Sequence, residues 1–407
     1  MTKRRKISDF MANAMTYFAS FISILMLVWI FFYIFSTGMK SFDFKMLTTN
    51  YWSTNYKIEF ESPDAGSFEK PGSLGDSVAY SVKYGVGFED VSTKSGTMDL
   101  QVVYIASDSP LNSGTNAVAG ETLGQSQSID LGSNVQRITY VNSDGSYASE
   151  GNSKGSSAAQ LAAALDQSVS IDSMQYQTPG GGVGGSLKAT LMLIGMTLLF
   201  ALPVGIFAAI YLHELAPKNR LTRLIRSSIE MLAGVPSIIF GLMGVAVLFP
   251  ITAAFGIKST SILLGSLTLA IMLLPVIIRN TEEALIVVPN GFRDGSLSLG
   301  ATETQTIFKV VLPSALPGIL SAVLLSIGRI IGESAALIFT MGTFIMDKPT
   351  LTQNATSLAV QIWSVMSGEN PNFGLACAIS IIILVIVLIL NLTIKLITAR
   401  LMKKWSA

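Results

Sequence analysis

The sequence predicts an all-α membrane protein of six transmembrane helices, with a β-rich or α+β domain inserted after the first helix. Three observations lead there. Half of the 407 residues are hydrophobic and 13% are charged, where a soluble chain carries roughly twice that charged fraction. Six apolar runs are each long enough to cross a bilayer, which takes about 20 residues. Between the first two runs, residues 41–178 change character: Ser, Gly, Asn, Thr and Asp dominate, and acidic residues outnumber basic ones.

The first run, Tyr17–Phe35, follows the basic cluster Lys3, Arg4, Arg5 and Lys6. It is too long for a signal-peptide core, and no Ala-x-Ala site follows, so it reads as a membrane anchor. In the insert, Met98–Ser107 and Val135–Asn142 are rich in β-branched and aromatic residues and predict strands. Ser156–Ser168 predicts a short helix, and Gly145–Ser157 a mobile loop. The modest apolar content predicts a marginal, loosely packed domain. After the linker Pro179–Gly185 come spans at Leu187–Leu212, Ile229–Ala253, Ser261–Ile278, Gly318–Met341 and Phe373–Thr398. The core membrane domain is then 179–407, with 1–40 as basic N-terminus and first helix.

Basic residues cluster at Lys3–Lys6; at Lys218, Arg220, Arg223 and Arg226; at Arg279, Arg293 and Lys309; and at Arg400, Lys403 and Lys404. With six spans, alternation puts all four clusters on one side. That side is the cytoplasm, so both termini lie inside the cell membrane and the insert outside. The single cysteine, Cys377, permits no disulfide within the chain. The single histidine, His213, has no second His or Cys near it and predicts an interfacial residue, not a metal ligand. No G-x-x-x-x-G-K-[ST] occurs, so the chain has no nucleotide-binding loop of that kind and is expected not to be an enzyme.

The stretch from Arg293 to Ser334 organises the rest. Its first half is polar yet keeps a helical rhythm, with Gly300 interrupting it, as two short amphipathic helices hinged at a glycine would. Pro313 and Pro317 are expected to end that unit before a new helix starts at Gly318. Asp294-Gly295-Ser296, three residues, Gly300, nine residues, Val310, one residue and Leu312-Pro313 resemble the EAA loop of ABC importer permeases, E-A-A-x3-G-x9-I-x-L-P. Asp294, Gly295 and Ser296 depart from Glu-Ala-Ala. The wider text around this loop, with AGVPSIIFGLMG, TLAIMLLPVII and GRIIGESAAL, is similar to the permease of phosphate ABC transporters, PstA type. The resemblance covers 180 to about 341 closely and leaves out the insert.

That resemblance implies the type I ABC importer permease fold, with a coupling loop at about 290–313 that docks on an ATPase subunit. Asp294, Gly295 and Ser296 would belong to the docking helix, Gly300 would be its hinge, and Leu312 and Pro313 would anchor it to the fifth span. The implied partners are ATPase subunits, a second homologous permease subunit, an extracellular phosphate-binding protein and membrane lipid, with no cofactor. Arg329 and Glu333 fall mid-span, four residues apart, and are read as sharing one helical face near the bilayer midplane, about 16 Å from Gly318 at ~1.5 Å per residue. Charge inside a membrane marks a translocation pathway by default. A structural ion pair locking two helices through Gly328 and Gly332 is the other reading. Arg279 and Glu283, at the end of the fourth span, read as snorkelling anchors with an accessory role open. The function implied is ATP-driven phosphate import. The alternatives are a permease for another oxyanion or solute, an ion-coupled secondary transporter, or a membrane-anchored sensor.

Overall fold

The computed structural model describes residues 3–60, 66–92, 98–118, 123–368 and 371–405, with side chains at 3–10, 12 and 401–405 left out. The chain divides into two compact units, Met1–Thr48 with Val183–Ala407, and Thr49–Gly182. The first unit opens with helix α1 (Lys3–Gly38) and a 3-10 turn, Phe44–Leu47, capped by the Asp43 carboxylate, which accepts from the Lys45 N–H at 3.0 Å.

The second unit is one antiparallel sheet with one helix. Its strands are β1 (Asn55–Glu59), β2 (Ala79–Ser81), β3 (Val86–Ser92), β4 (Met98–Ile105), β5 (Thr115–Asn116), β6 (Asn134–Val141), β7 (Tyr147–Glu150) and β8 (Ser170–Gln177). They run in the order β2-β3-β4-β6-β8-β1-β5, with β7 also on β6. Helix α2 (Ala158–Gln167) starts at a capping box in which Ser157 Oγ accepts from Gln160 N–H and Gln160 accepts from Ser157 N–H. Ile58, Phe88, Val102, Ile138, Met174, Leu161 and Leu165 close the core at no more than 1% exposure. The expectation of loose packing fails here. The inward apolar residues, such as Val135, Ile138 and Tyr140 on β6 with an irregularity between Val135 and Arg137, share one face, so a low total suffices. The expected loop at 145–157 also fails. Val141–Ile138 pairs with Tyr147–Glu150, and a 3-10 turn follows at Asn152–Lys154. Small polar residues there signal water exposure on a paired edge, which composition alone reads as looseness.

The membrane unit continues with α3 (Gly184–Ile210), α4 (Arg220–Ala233), α5 (Ser237–Met243), α6 (Phe249–Ala254), α7 (Ile262–Ile286), α8 (Asn290–Ser298), α9 (Glu303–Thr306), α10 (Leu312–Gly332), α11 (Ala335–Thr340), α12 (Leu358–Met366) and α13 (Phe373–Trp405). Single π-turns at Tyr211–Leu215, Gly244–Leu248 and Ile307–Val311 extend α3, join α5 to α6, and join α9 to α10. Six helical stretches among the described residues are long and apolar enough to cross a membrane: Asn13–Gly38, Gly184–Leu215, Ser237–Ala254, Ile262–Ile286, Glu303–Gly332 and Phe373–Arg400. The expected count and fold class are those observed. α7 is the hub. A Cβ on Gly205 of α3 would lie 2.6 Å from Ile277, and one on Gly318 of α10 would lie 2.5 Å from Ala284. Without a hydrophobic drive between helices in lipid, small residues of this kind set how closely backbones pack.

Three boundaries differ from the sequence expectation. The third span starts at Ser237, because Ile229–Ala233 belong to α4, whose amphipathic pattern ends before Pro236. Pro313 and Pro317 do not end a helix. Pro313 follows directly on the π-turn and Pro317 is carried within the helix. The π-turn just before them widens the coil, with Leu312 N–H bonded to Ile307 O. Finally, 318–341 is not one helix: α10 stops at Gly332, and Glu333 is extended at φ −77°, ψ 129°.

Candidate functional site

Two places bring the sequence-predicted residues together. The first is the segment from α8 to the start of α10. Asp294, Gly295 and Ser296 lie on α8, which buries none of its residues. Gly300 sits at φ +85°, in the left-handed region that only glycine enters freely. The chain reverses there, and α9 starts at Thr302, whose Oγ1 accepts from Gln305 N–H at 3.3 Å. Ser296 Oγ and Thr306 Oγ1 join the two arms at 2.9 Å. α9 then passes through the π-turn directly into α10 at Leu312-Pro313. The loop is thus one rigid continuation of a membrane helix, with a short helix folded back on it.

What fixes that short helix is Arg293, whose role the sequence did not reveal. Its Nη2 is 2.7 Å from Glu214 Oε1 in the π-turn at the end of α3. Its guanidinium also donates to Leu285 O at 3.1 Å and Val288 O at 2.8 Å, at the end of α7 and just past it. One side chain therefore ties α8 to two membrane helices. The pair is largely buried, with side chains 17% and 11% exposed. Removing one partner of a buried pair costs about 3–5 kcal/mol, because the other charge is stranded. Arg293→Ala is therefore expected to lower the thermal midpoint of the chain in detergent, and adding Glu214→Gln should recover part of the loss. An unchanged midpoint in the single variant contradicts this anchoring.

Around the anchor, apolar side chains project outward: Leu299 at 91% exposure, Val287 at 81% and Phe292 at 52%. They leave apolar side chains exposed on and beside the anchored helix pair. Behind it lies a second ionic layer, Arg226 Nη1 to Glu282 Oε1 at 2.8 Å, with Arg226 Nη2 donating to Leu212 O at 2.6 Å. His213 Nε2 is 3.7 Å from Glu214 Oε1.

The second place is a groove of about 920 Å3 between α7, α10 and α13. Arg329, Asn280, Glu283, Ser321, Gly328 and Asn391 line it. Arg329 is exposed in the isolated chain, and a Cβ on Gly328 or Gly332 would meet nothing within 4 Å. Those glycines face open space in this chain and lock no helix within it.

The expected Arg329–Glu333 pairing is not observed. α10 ends between them, and Glu333 Oε1 accepts from Ala336 N–H at 3.2 Å in the first turn of α11. The break explains how both charges are held. Arg329 lies in the last turn of a helix and Glu333 ahead of the first turn of the next, each at the end whose dipole stabilises its sign. Gly318 packs on Ala284. Eleven residues further, at ~1.5 Å each, Arg329 stands level with the middle of α7, beside Val276 in the groove lining. The carboxylate that shares the groove with Arg329 is Glu283, whose Oε1 is 3.2 Å from Arg279 Nε across one exposed helical turn. Asn280 and Asn391 complete the polar lining, each also donating to a carbonyl four residues back. An asparagine inside the apolar run ILVIVLILNLTI was the available signal for Asn391.

Residues 201–405 match the family model of the binding-protein-dependent transport system inner membrane component. The chain belongs to that family. Its curated relatives include a probable ABC transporter permease, YqgI, of Bacillus subtilis, 34% identical over 199 residues that make up 46% of this chain and 66% of the relative. The phosphate transport system permease protein PstA 1 of Mycobacterium tuberculosis is 38% identical over 162 residues, 40% of this chain and 52% of that protein. The PstA of Pasteurella multocida is 37% identical over 176 residues, 42% and 61% of the two chains. The chain thus spans about half to two thirds of the length of these relatives. Among solved structures, the inward-facing MetNI methionine ABC transporter aligns with a TM-score of 0.44 and 21% identity, over 53% of this chain and 94% of that one. In this binding-protein-dependent transport component, the helix pair around Gly300 and the groove both fall within the matched residues.

Proposed function

We propose that the chain is the permease subunit of an ATP-driven importer of inorganic phosphate. The observation that carries the reading is the exposed helix pair hinged at Gly300 and anchored by Arg293, continuous with α10 and the arginine in its last turn. The partners are ATPase subunits, a second homologous permease, an external phosphate-binding protein and membrane lipid. Asp294, Gly295, Ser296 and Gly300 form the surface on which the ATPase acts, and Leu312-Pro313 pass its displacement into α10. Arg329 faces the pathway, where its fixed charge and planar fork suit phosphate oxygens. Glu333 fixes the start of α11, and Arg279 and Glu283 guard the inner end of the groove. The named relatives support the choice of anion, since several carry a phosphate transport title. The test is purification of the complex. An ATPase and a second permease should copurify, and phosphate with its binding protein should stimulate ATP hydrolysis. A preparation whose ATPase responds to another solute and not to phosphate overturns the assignment.

Both termini lie in the cytoplasm in this reading, and Thr49–Gly182 lies outside. Ser143→Cys, in an exposed turn, should react with a membrane-impermeant maleimide in intact wall-less cells, while Cys377 is buried in its span. Reaction only after permeabilisation contradicts the orientation.

A further inference from the structure

The sheet of the Thr49–Gly182 unit turns one face to its core, and the other carries a groove of about 610 Å3 that the transport reading leaves unused. Its floor crosses three adjacent strands. Lys57 of β1 and Arg137 of β6 stand opposite Gln175 of β8, and Asn55 stands opposite Gln177 one step along. Directly paired residues share a face. These point away from the Tyr56–Tyr176 stack, whose rings lie 5.6 Å apart on the core side. With strands ~4.8 Å apart, the two cations flank Gln175 across about 10 Å.

One wall is the turn at 151–155. Gly151, at φ +145°, presses on β6 so closely that a Cβ would lie 2.6 Å from Gln136 O and 2.9 Å from Arg137 Cα. That approach brings Ser153 Oγ to 3.4 Å from Arg137 Nε. The wall is thus fixed by backbone packing.

The charge is placed against its background. Residues 49–182 hold fifteen acidic and six basic side chains, yet two of those six line this groove and, among the described residues, no carboxylate does. Arg137 forms no ion pair among the described residues. Lys57 Nζ is 2.5 Å from Glu59 Oε1, but the pair is 40% and 53% exposed. Such pairs contribute at most about 1 kcal/mol, so a ligand anion competes readily for Lys57. The side-chain amides of Asn55, Gln175 and Gln177 make no hydrogen bond among the described residues, which leaves both donors and acceptors on offer. At about 610 Å3 the groove falls in the ~300–1,000 Å3 range of organic-ligand sites and has room for more than a bare oxyanion.

We propose that this groove binds a polyhydroxylated chain bearing anionic groups, a glycan or polyol carrying phosphate or carboxylate. Amides take the hydroxyls, and Arg137 and Lys57 take two charges about 10 Å apart. The unit as a whole is acidic, so binding rests on this local match of charge and amides.

The experiment titrates the full chain in detergent by calorimetry with a glycerol-phosphate hexamer, a galacturonate hexamer, xylohexaose and inorganic phosphate. At least one anionic hexamer should bind at least about tenfold tighter than xylohexaose and inorganic phosphate, and whichever does so names the anionic group. Binding should weaken with added salt. Arg137→Gln should cost about tenfold, the scale of one charged hydrogen bond. Glu59→Gln, which releases Lys57, should tighten binding about threefold, a gain that misfolding cannot imitate. Inorganic phosphate or xylohexaose binding as tightly as the hexamers, no saturable heat from any of the four, or affinities unmoved in both variants would overturn the proposal.

Discussion

Gly300→Val is expected to abolish ATP-driven uptake, at least tenfold, while the chain still inserts in the membrane. Gly300 sits at φ +85°, and a Cβ there would touch nothing within 4 Å. The whole effect is therefore backbone strain. An L-residue in the left-handed region costs about 1–2 kcal/mol, and a β-branched one is a genuine outlier there. The turn relieves that strain by opening, which pulls Arg293 of α8 off Glu214 and parts Ser296 from Thr306. Gly300→Asn separates strain from side-chain bulk, because asparagine tolerates this region and should keep most of the uptake. Equal loss in Asn and Val variants, or no loss in either, contradicts the hinge.

The second large effect is at Arg329. Arg329→Gln should stop uptake while the complex still assembles, and Arg329→Lys should keep a fraction of it, since the charge stays and the planar fork is lost. The exchange Arg329→Glu with Glu333→Arg is the sharper case. Were the two an ion pair, the exchange would rescue either single change. Here the helix ends between them and Glu333 holds Ala336 N–H. The exchange puts each charge at the helix end that repels it, at ~0.3–1 kcal/mol per end and up to ~2 where partly buried. The double variant should therefore be worse than either single variant in yield of assembled complex. Rescue by the double variant returns the pair to a structural role.

The membrane part of the fold was legible because hydropathy reports burial in lipid directly, and all six spans follow from it. The chain reversal at Gly300 was legible because a glycine interrupts the helical rhythm there. The break at Glu333 was not, since Gly332-Glu333-Ser334 contains no proline and four-residue spacing is the same on paper whether or not the helix continues. Arg293 was visible only as a basic residue. Its partner Glu214 lies 79 positions away, and one sequence carries no signal for such a contact. The Asn280, Glu283 and Asn391 lining of the groove comes from α7 and α13, which only the three-dimensional fold brings to one groove. In the insert, β-branched and aromatic residues revealed β4 and β6, while β7 was hidden by its small polar residues.

The central claim is that ATP, acting through the Gly300 loop, moves phosphate past Arg329. It is tested most directly by radiolabelled phosphate uptake into vesicles holding the purified complex, with the binding protein added on the outer side of the permease and ATP supplied to its cytoplasmic side. The account expects accumulation that requires both ATP and the binding protein, is lost in Gly300→Val and Arg329→Gln, and ignores imposed proton or sodium gradients. Accumulation driven by such a gradient without ATP would contradict it.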